Sequence, residues 1–201
     1  MNEDILSRHM RDGVPVSRVY EPAGVCCVLG AGGSPDRDLI LENLAADGVP
    51  LLRRRGGGGT VVLSPGQLVL ALATEVGSPF ANREYAAAIN AWFIEALERL
   101  GVRGVVQRGI SDLAIGERKI LGTSIYRRRL VLFYQASLLV ANDLSLFSRY
   151  LAMPARVPEY RAGRSHEEFC TTLEREGCRF TVREAARSLE EVVSARLPLL
   201  R

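Results

Sequence analysis

The chain has 201 residues, 47% apolar and 24% charged, with a formal net charge of +3. That length suits a single domain over residues 1–201, large enough to bury its own core. A weak positive charge without a basic stripe argues against nucleic acid as a partner, and no apolar run approaches the roughly 18 residues of a membrane span.

From the N-terminus, Asn2 to Met10 reads as a short polar helix capped by Asn2, not as a secretory leader. Val14–Tyr20 and Gly24–Gly30 read as strands joined by the turn Glu21-Pro22-Ala23-Gly24. Ser34 can cap a helix with Pro35 at its first position, running to about Asp47 and stopped by Gly48. Val49–Arg54 is a strand that enters Gly56-Gly57-Gly58-Gly59. Thr60–Leu63 and Gln67–Val76 read as a hairpin around Ser64-Pro65-Gly66. Asn82 should cap the clearest helix, Arg83 to Leu100, on which Tyr85, Ile89, Trp92, Phe93, Ala96 and Leu100 recur at helical spacing. Strands follow at Gly104–Arg108, Asp112–Ile115, Lys119–Tyr126 and Leu130–Val140, the last with a break at Gln135. Asp143 can cap a helix over Leu144–Leu151, and Met153–Gly163 reads as an irregular loop. Ser165 with Glu168, and Thr181 with Glu184, have the spacing of capping boxes. The pattern implies an α+β fold with a mixed, largely antiparallel β-sheet flanked by helices. Cys26, Cys27, Cys170 and Cys178 form neither a CxxC pair nor a disulfide framework, which points to cytosolic thiols and a cytoplasmic protein.

Three stretches carry possible chemistry. Gly30-Ala31-Gly32-Gly33 lies between a strand and a helix, but Pro35 stands where a dinucleotide fingerprint needs glycine, so a plain turn fits better. Arg53-Arg54-Arg55-Gly56-Gly57-Gly58-Gly59-Thr60 is not a P-loop, since no GK[ST] follows. Its backbone N–H groups and arginines can hold an anion; the other reading is a solvated loop with a basic edge. The first is favoured, because glycine runs between strands otherwise only weaken a sheet.

The third stretch is Gly109 to Ser124. Of 26 basic residues, Lys119 is the one lysine. That singles out a position where a compact ammonium fits and a planar guanidinium does not, unless Lys119 is a leftover surface residue. The turn Gly116-Glu117 delivers it to a returning strand. Alternation places Lys119 and Leu121 on one face, with Ile120 and Gly122 on the other. Asp112 is either an oxygen ligand for magnesium on nucleotide phosphates or an ordinary strand-edge aspartate.

Taken together, Arg-Arg-x-x-Gly-Gly-Gly before a β segment and Ser111-Asp112-Leu113 followed by Lys119-Ile120-x-Gly122 resemble the lipoate–protein ligases of the biotin/lipoate ligase family. The resemblance runs from Asn2 to about Leu173. It takes in Gln135-Ala136-Ser137-Leu138-Leu139, Asn142-Asp143-Leu144 and Arg164-Ser165-His166 in family order. It implies a core related to class II synthetases. It also implies ATP, Mg2+ and the substrate lipoate, activated as lipoyl-adenylate and transferred to a lysine of an acceptor protein. That acceptor would be a dehydrogenase E2 domain, a glycine-cleavage H protein or another lipoate-binding protein.

Lys119 would then bridge the carboxylate and the α-phosphate as the catalytic residue. Arg54 would contact the phosphate. Gly57, Gly58, Gly59, Thr60, Val61, Gly122 and Ser137 would line the substrate and adenylate, and Asp112 would stand by the metal. Val61, Leu70 and Leu72 are candidates for an acyl channel. Leu63-Ser64 stands where many relatives have His-Asp, and Gln135-Ala136 replaces His-Gly. The chain ends without the family's accessory domain, so a separate small accessory subunit is expected as a partner. Three other functions stay open. Octanoyl transfer from an acyl carrier protein needs a cysteine nucleophile, for which Cys170, four residues after His166, is the candidate. A non-catalytic lipoyl-binding relative is another. Biotin transfer is disfavoured by the glycine loop.

Overall fold

Nine strands, seven helices and two 3-10 turns make up the described residues, 2–154 and 157–200, of a computed structural model. In chain order they are α1 (Glu3–Asp12), β1 (Val16–Tyr20), β2 (Cys26–Leu29), α2 (Pro35–Asp38), α3 (Leu41–Asp47), β3 (Leu51–Arg53), β4 (Val61–Leu63), β5 (Gln67–Glu75), α4 (Asn82–Arg99), β6 (Val105–Arg108), β7 (Asp112–Ile115), β8 (Arg118–Arg128), β9 (Val131–Leu139), α5 (Ser145–Tyr150), α6 (His166–Phe169) and α7 (Val182–Arg196). The 3-10 turns are Glu159–Arg161 and Leu197–Leu199.

The strands divide between two sheets. The larger has the order β1-β5-β9-β8-β7-β6 and is antiparallel at every step. The smaller has the order β3-β2-β4, with β2 parallel to β3 and antiparallel to β4. This is the expected α+β fold with a mixed, largely antiparallel arrangement.

β5 explains how the layers stack. All its residues but Glu75 are buried, so both faces of the strand are covered. Leu68, Leu70 and Leu72 pack with Ile89, Trp92 and Phe93 of α4 and with Leu189 and Val192 of α7. On the opposite face Val69 meets Val28 and Leu63 of the small sheet, while Ala71 and Ala73 meet Ile5 and Leu6 of α1. Leu70 and Leu72 therefore cannot line an acyl channel on that opposite face. Val61, on β4, packs with the Val28–Leu63–Val69 cluster on the side where Leu70 and Leu72 are absent.

Several local expectations give way to long-range pairing. The segments around Ser64-Pro65-Gly66 form no hairpin: β4 pairs with β2, and β5 pairs with β1 and β9. Gly66 makes the corner with φ +86°, and a Cβ there would come within 2.6 Å of the Asn142 nitrogen. β1 and β2 likewise join different sheets. The helix expected from Ser34 to Asp47 is broken at Leu39, which is extended and bridges Leu151, while the Ile40 N–H donates to the Tyr150 carbonyl at 2.9 Å. Tertiary hydrogen bonds here outweigh helix propensity. Asn2 and Asn82 do not cap their helices. Asn2 donates to the Tyr20 hydroxyl, and the Asn82 carbonyl oxygen takes Arg127. β9 runs through Gln135 without a break.

Both capping boxes form, at Ser165/Glu168 and Thr181/Glu184. Asp143 accepts from the Ser145 N–H at 2.9 Å at the head of α5. Among the described residues no helix is long and apolar enough to cross a membrane.

Candidate active site

One irregularity in the large sheet decides where Lys119 points. Lys119 pairs with Ala114, whereas Leu121 pairs with Leu113, so β8 spends two residues where β7 spends one. Such a bulge reverses the alternation beyond it. Ile120 and Leu121 are consequently both buried in the main core. The Lys119 side chain instead shares a face with Gly122: a Cβ on Gly122 would lie 3.0 Å from Lys119 Nζ. The alternation read from the sequence, with Lys119 beside Leu121, is corrected by this extra residue. Gly122 keeps clear the space that the lysine tip occupies.

That face is continuous. Gly122 pairs with Ser137, Ser137 with Val69 and Val69 with Tyr20, and directly opposed residues project to the same side. Val69 packs against the small sheet. Gly122, Ser137 and Lys119 thus face the small sheet and the glycine loop, away from α4 and α7.

Asp112 stands beside Lys119, with Oδ1 at 2.7 Å from Nζ. Its other oxygen, Oδ2, accepts from the Tyr160 hydroxyl at 2.9 Å. Burial first, then the neighbouring Asp112 carboxylate, push the Tyr160 phenol far up, so it stays a neutral donor. Its ring meets Phe169 at a tilt of 52° with centroids 5.0 Å apart, and the guanidinium groups of Arg161 and Arg164 lie over Phe169 at 5.0 and 5.4 Å. The chain leaving α6 is stitched to the lysine's own backbone, since the Thr171 N–H donates to the Lys119 carbonyl at 2.9 Å. Tyr160 escaped the sequence reading because it sits in a stretch that reads as irregular loop, and nothing local ties it to Asp112.

The arginine–glycine stretch forms a second wall. The three arginines have three different tasks. Arg53 donates from one nitrogen to the carbonyls of Gly30, Ala31 and Gly33. Arg55 pairs with Glu3 and lies over the Tyr126 ring. Arg54 is only 6% exposed. Its Nε donates to Ser124 Oγ at 2.9 Å, its Nη1 to the Val28 carbonyl at 3.2 Å, and its Nη2 to the Gly57 and Gly59 carbonyls at 2.9 and 2.7 Å. Burial lowers its pKa to about 10. Four of the five N–H donors of a guanidinium are thus committed to the protein's own oxygens. The loop is wrapped around Arg54 through these bonds.

The glycines of this wall are needed at unequal strength. A Cβ on Gly56 would lie 2.1 Å from Ser124 Oγ, and one on Gly30 would lie 2.1 Å from the Gly58 carbonyl oxygen. Gly58 has φ +92°. Beside Gly57 and Gly59, by contrast, a Cβ would meet nothing within 4 Å, so that side of the loop is open. Gly30, which the sequence reading gave only a turn, matters because the glycine loop packs onto it. Thr60 turns its hydroxyl to Asp38 at 3.0 Å.

Among the described residues no three His, Cys, Asp or Glu side chains gather into a metal cage. A magnesium ion carried on nucleotide phosphates needs only one or two protein carboxylates. Asp112 fits that smaller demand, because a carboxylate has about four lone-pair sites and Lys119 and Tyr160 take two. Cys170 forms an isolated parallel bridge with Lys119; burial raises its thiol pKa, and Lys119 pulls it the other way. His166 Nε2 lies 3.3 Å from the Ala152 carbonyl oxygen, so that nitrogen is turned to the backbone.

A family model described as the lipoyl protein ligase A/B catalytic domain matches residues 2–194. A protein of Aeropyrum pernix provisionally named lipoate-protein ligase A is 28% identical over 195 residues, spanning 96% of this chain and 72% of its own length. The bi-partite lipoate protein ligase of Thermoplasma acidophilum, analysed with its E2 lipoyl domain, aligns with a TM-score of 0.80 at 18% identity, covering 98% of this chain and 80% of that one. A lipoate-protein ligase A bound with ATP aligns with a TM-score of 0.77 at 21% identity, covering 92% and 73%. At such identities the structural likeness speaks for the fold.

Proposed function

Because the chain belongs to the lipoyl protein ligase A/B catalytic-domain family, a family of enzymes, we propose that it is a cytoplasmic, ATP-dependent lipoate–protein ligase whose catalytic domain spans residues 1–201. Lipoate's carboxylate attacks the α-phosphate of ATP, releasing pyrophosphate and forming lipoyl-adenylate. A lysine amine of the acceptor then attacks the acyl carbonyl, AMP leaves and the amine gives up a proton.

The observation that carries this reading is the placement of the one lysine. Lys119 lies over Gly122 and is held by Asp112. A cation aimed at the two reacting oxygens stabilises the charge that grows as they react. The open side of Gly57 and Gly59 gives the adenylate a backbone wall. Thr60 and Arg54 support that wall from behind. Val61 and Ser137, both half-buried, offer the acyl tail a place on this face. Asp112 would hold a magnesium ion, which would supply positive charge on the phosphates. The acceptor is a lipoyl-domain protein, whether an E2 domain, an H protein or another lipoate-binding protein. A separate small accessory subunit is a second partner, in line with the bi-partite Thermoplasma ligase.

The test is acyl transfer from lipoate to a lipoyl-acceptor domain, with and without Mg-ATP, read by intact mass. The expected result is lipoyl mass added only with ATP, by the chain alone or with an accessory subunit. Transfer from octanoyl-loaded carrier protein without ATP would replace the ligase reading with octanoyl transfer.

A further inference from the structure

Beneath the turn that leads into Asp112 lies a buried polar chain. Asn90 sits in the middle of the apolar face of α4 and is 1% exposed. Its Nδ2 donates to the Ser111 carbonyl at 3.0 Å, and its Oδ1 accepts from the Tyr134 hydroxyl at 2.7 Å. The Ser111 carbonyl can only accept, which fixes the amide's orientation and leaves Tyr134 to donate. Tyr134 is fully buried, and burial pushes its phenol well up, so it stays a donor. Gln107 accepts from Asn90 Nδ2 at 3.4 Å and donates to the Ile110 carbonyl at 3.3 Å. Thr123 Oγ1 reaches Ser111 Oγ at 2.5 Å.

An amide among core side chains costs stability unless it is paired, and a leucine would serve packing alone. Here bonds from α4, β6 and β8 converge on one short turn, Gly109 to Ser111, and Tyr134 of β9 holds Asn90 in place from behind. Gly109 has φ +55°, and a Cβ on it would lie 3.5 Å from Pro158 and from the Tyr160 ring. The turn is gripped from beneath by Asn90 and touched from above by Tyr160. The next residue is Asp112, which holds Lys119.

We infer that Asn90 and Tyr134 are positioning residues for the reactive lysine: they fix the Ser111 carbonyl, and with it the direction in which Asp112 presents its carboxylate to Lys119. Neither touches substrate. The ligase reading supplies only the reaction that this affects; the placement of Lys119 is tested separately.

Since Lys119 is the chain's one lysine, its amine is a built-in reporter. Purified wild type, Asn90→Ala, Asp112→Ala and the double variant are treated with limiting acetic anhydride, and modification at Lys119 is followed by peptide mass. Asn90→Ala is expected to speed labelling about fivefold in the wild-type background and less than about twofold where Asp112 is already gone, the non-additivity of residues acting through one another. An unchanged rate, or an equal rise in both backgrounds, overturns the inference. Tyr134→Phe removes one hydroxyl and carries the same comparison, on the same criteria, should Asn90→Ala not fold. On the same proteins, lipoate-dependent exchange of pyrophosphate into ATP is expected to show kcat down about tenfold in Asn90→Ala with KM for lipoate within about twofold, the mark of a lost transition-state contact. A wild type without exchange, both alone and with an accessory subunit, would refute the ligase reading and leave the labelling result to decide the positioning on its own.

Discussion

The two walls of the site are built on opposite plans. The glycine-loop wall is mostly backbone, shaped around one buried arginine whose partners are three carbonyls and a hydroxyl, with no carboxylate among them. The lysine wall is a set of charged and polar side chains, Lys119, Asp112 and Tyr160, on a bulged strand and a neighbouring loop. In the first wall shape and stability are one property, because changing the arginine or a contact glycine deforms the loop itself. In the second, chemistry can be altered while the fold stands, because each side chain projects from a sheet that is buried from behind.

The sharpest way to break that comparison is at Arg54. Arg54→Ala takes the partner from the buried Val28 carbonyl and Ser124 hydroxyl and from the part-buried Gly57 and Gly59 carbonyls, and should cost about 3 kcal/mol, since each unsatisfied buried group costs roughly 1–3 kcal/mol. Denaturant unfolding measures it, and activity should vanish with the fold. A variant of wild-type stability would mean that the loop does not depend on its arginine.

Lys119→Arg tests the other wall. Charge is kept but shape is not, and transfer should fall by at least ~100-fold, the scale of losing one oriented charge-stabilising group. Its circular dichroism and melting should match wild type. Full activity in a folded Lys119→Arg would remove the special role of the lone lysine.

Gly122→Ala lies between the walls in severity. Its Cβ would meet only the flexible end of Lys119, 3.0 Å from Nζ and 3.1 Å from Cε. Stability should change by less than ~0.5 kcal/mol, while displacement of the ammonium should cost about tenfold in kcat. Gly30→Ala is the contrasting control, since its Cβ would lie 2.1 Å from a backbone oxygen that cannot step aside.

Tyr160→Phe should have the smallest effect. It removes one hydrogen bond to Asp112, worth roughly 1 kcal/mol, or about fivefold in kcat. A loss as large as that of Lys119→Arg would move Tyr160 from support of Asp112 into the chemistry.

Much of this was legible in the chain before folding. Each of the nine strand segments read from the chain overlaps one of the nine strands. The Ser165/Glu168 and Thr181/Glu184 boxes are set by residues three apart, so sequence spacing was enough to place them. The motifs Arg53–Thr60 and Asp112–Gly122, with their single lysine, marked both walls. The errors share one source. Asn2 and Asn82 have the chemistry of caps but found partners elsewhere, at Tyr20 and Arg127. Leu39 left its helix to pair with Leu151. Ser64-Pro65-Gly66 has turn chemistry, yet its flanking strands belong to different sheets.

The sequence by itself determined which segments are strands and helices, because side-chain periodicity and end-capping act within a few residues. It also determined which residue types stand ready for chemistry. Only the tertiary structure decided how they meet. The bulge that turns Lys119 toward Gly122 exists because β7 and β8 pair out of step. Arg54 became a buried strut only once Val28, Gly57, Gly59 and Ser124 closed around it. Tyr160 reached Asp112 across 48 positions of the chain. A hydrogen bond is indifferent to separation along the sequence, so its partner is fixed by what packing brings near.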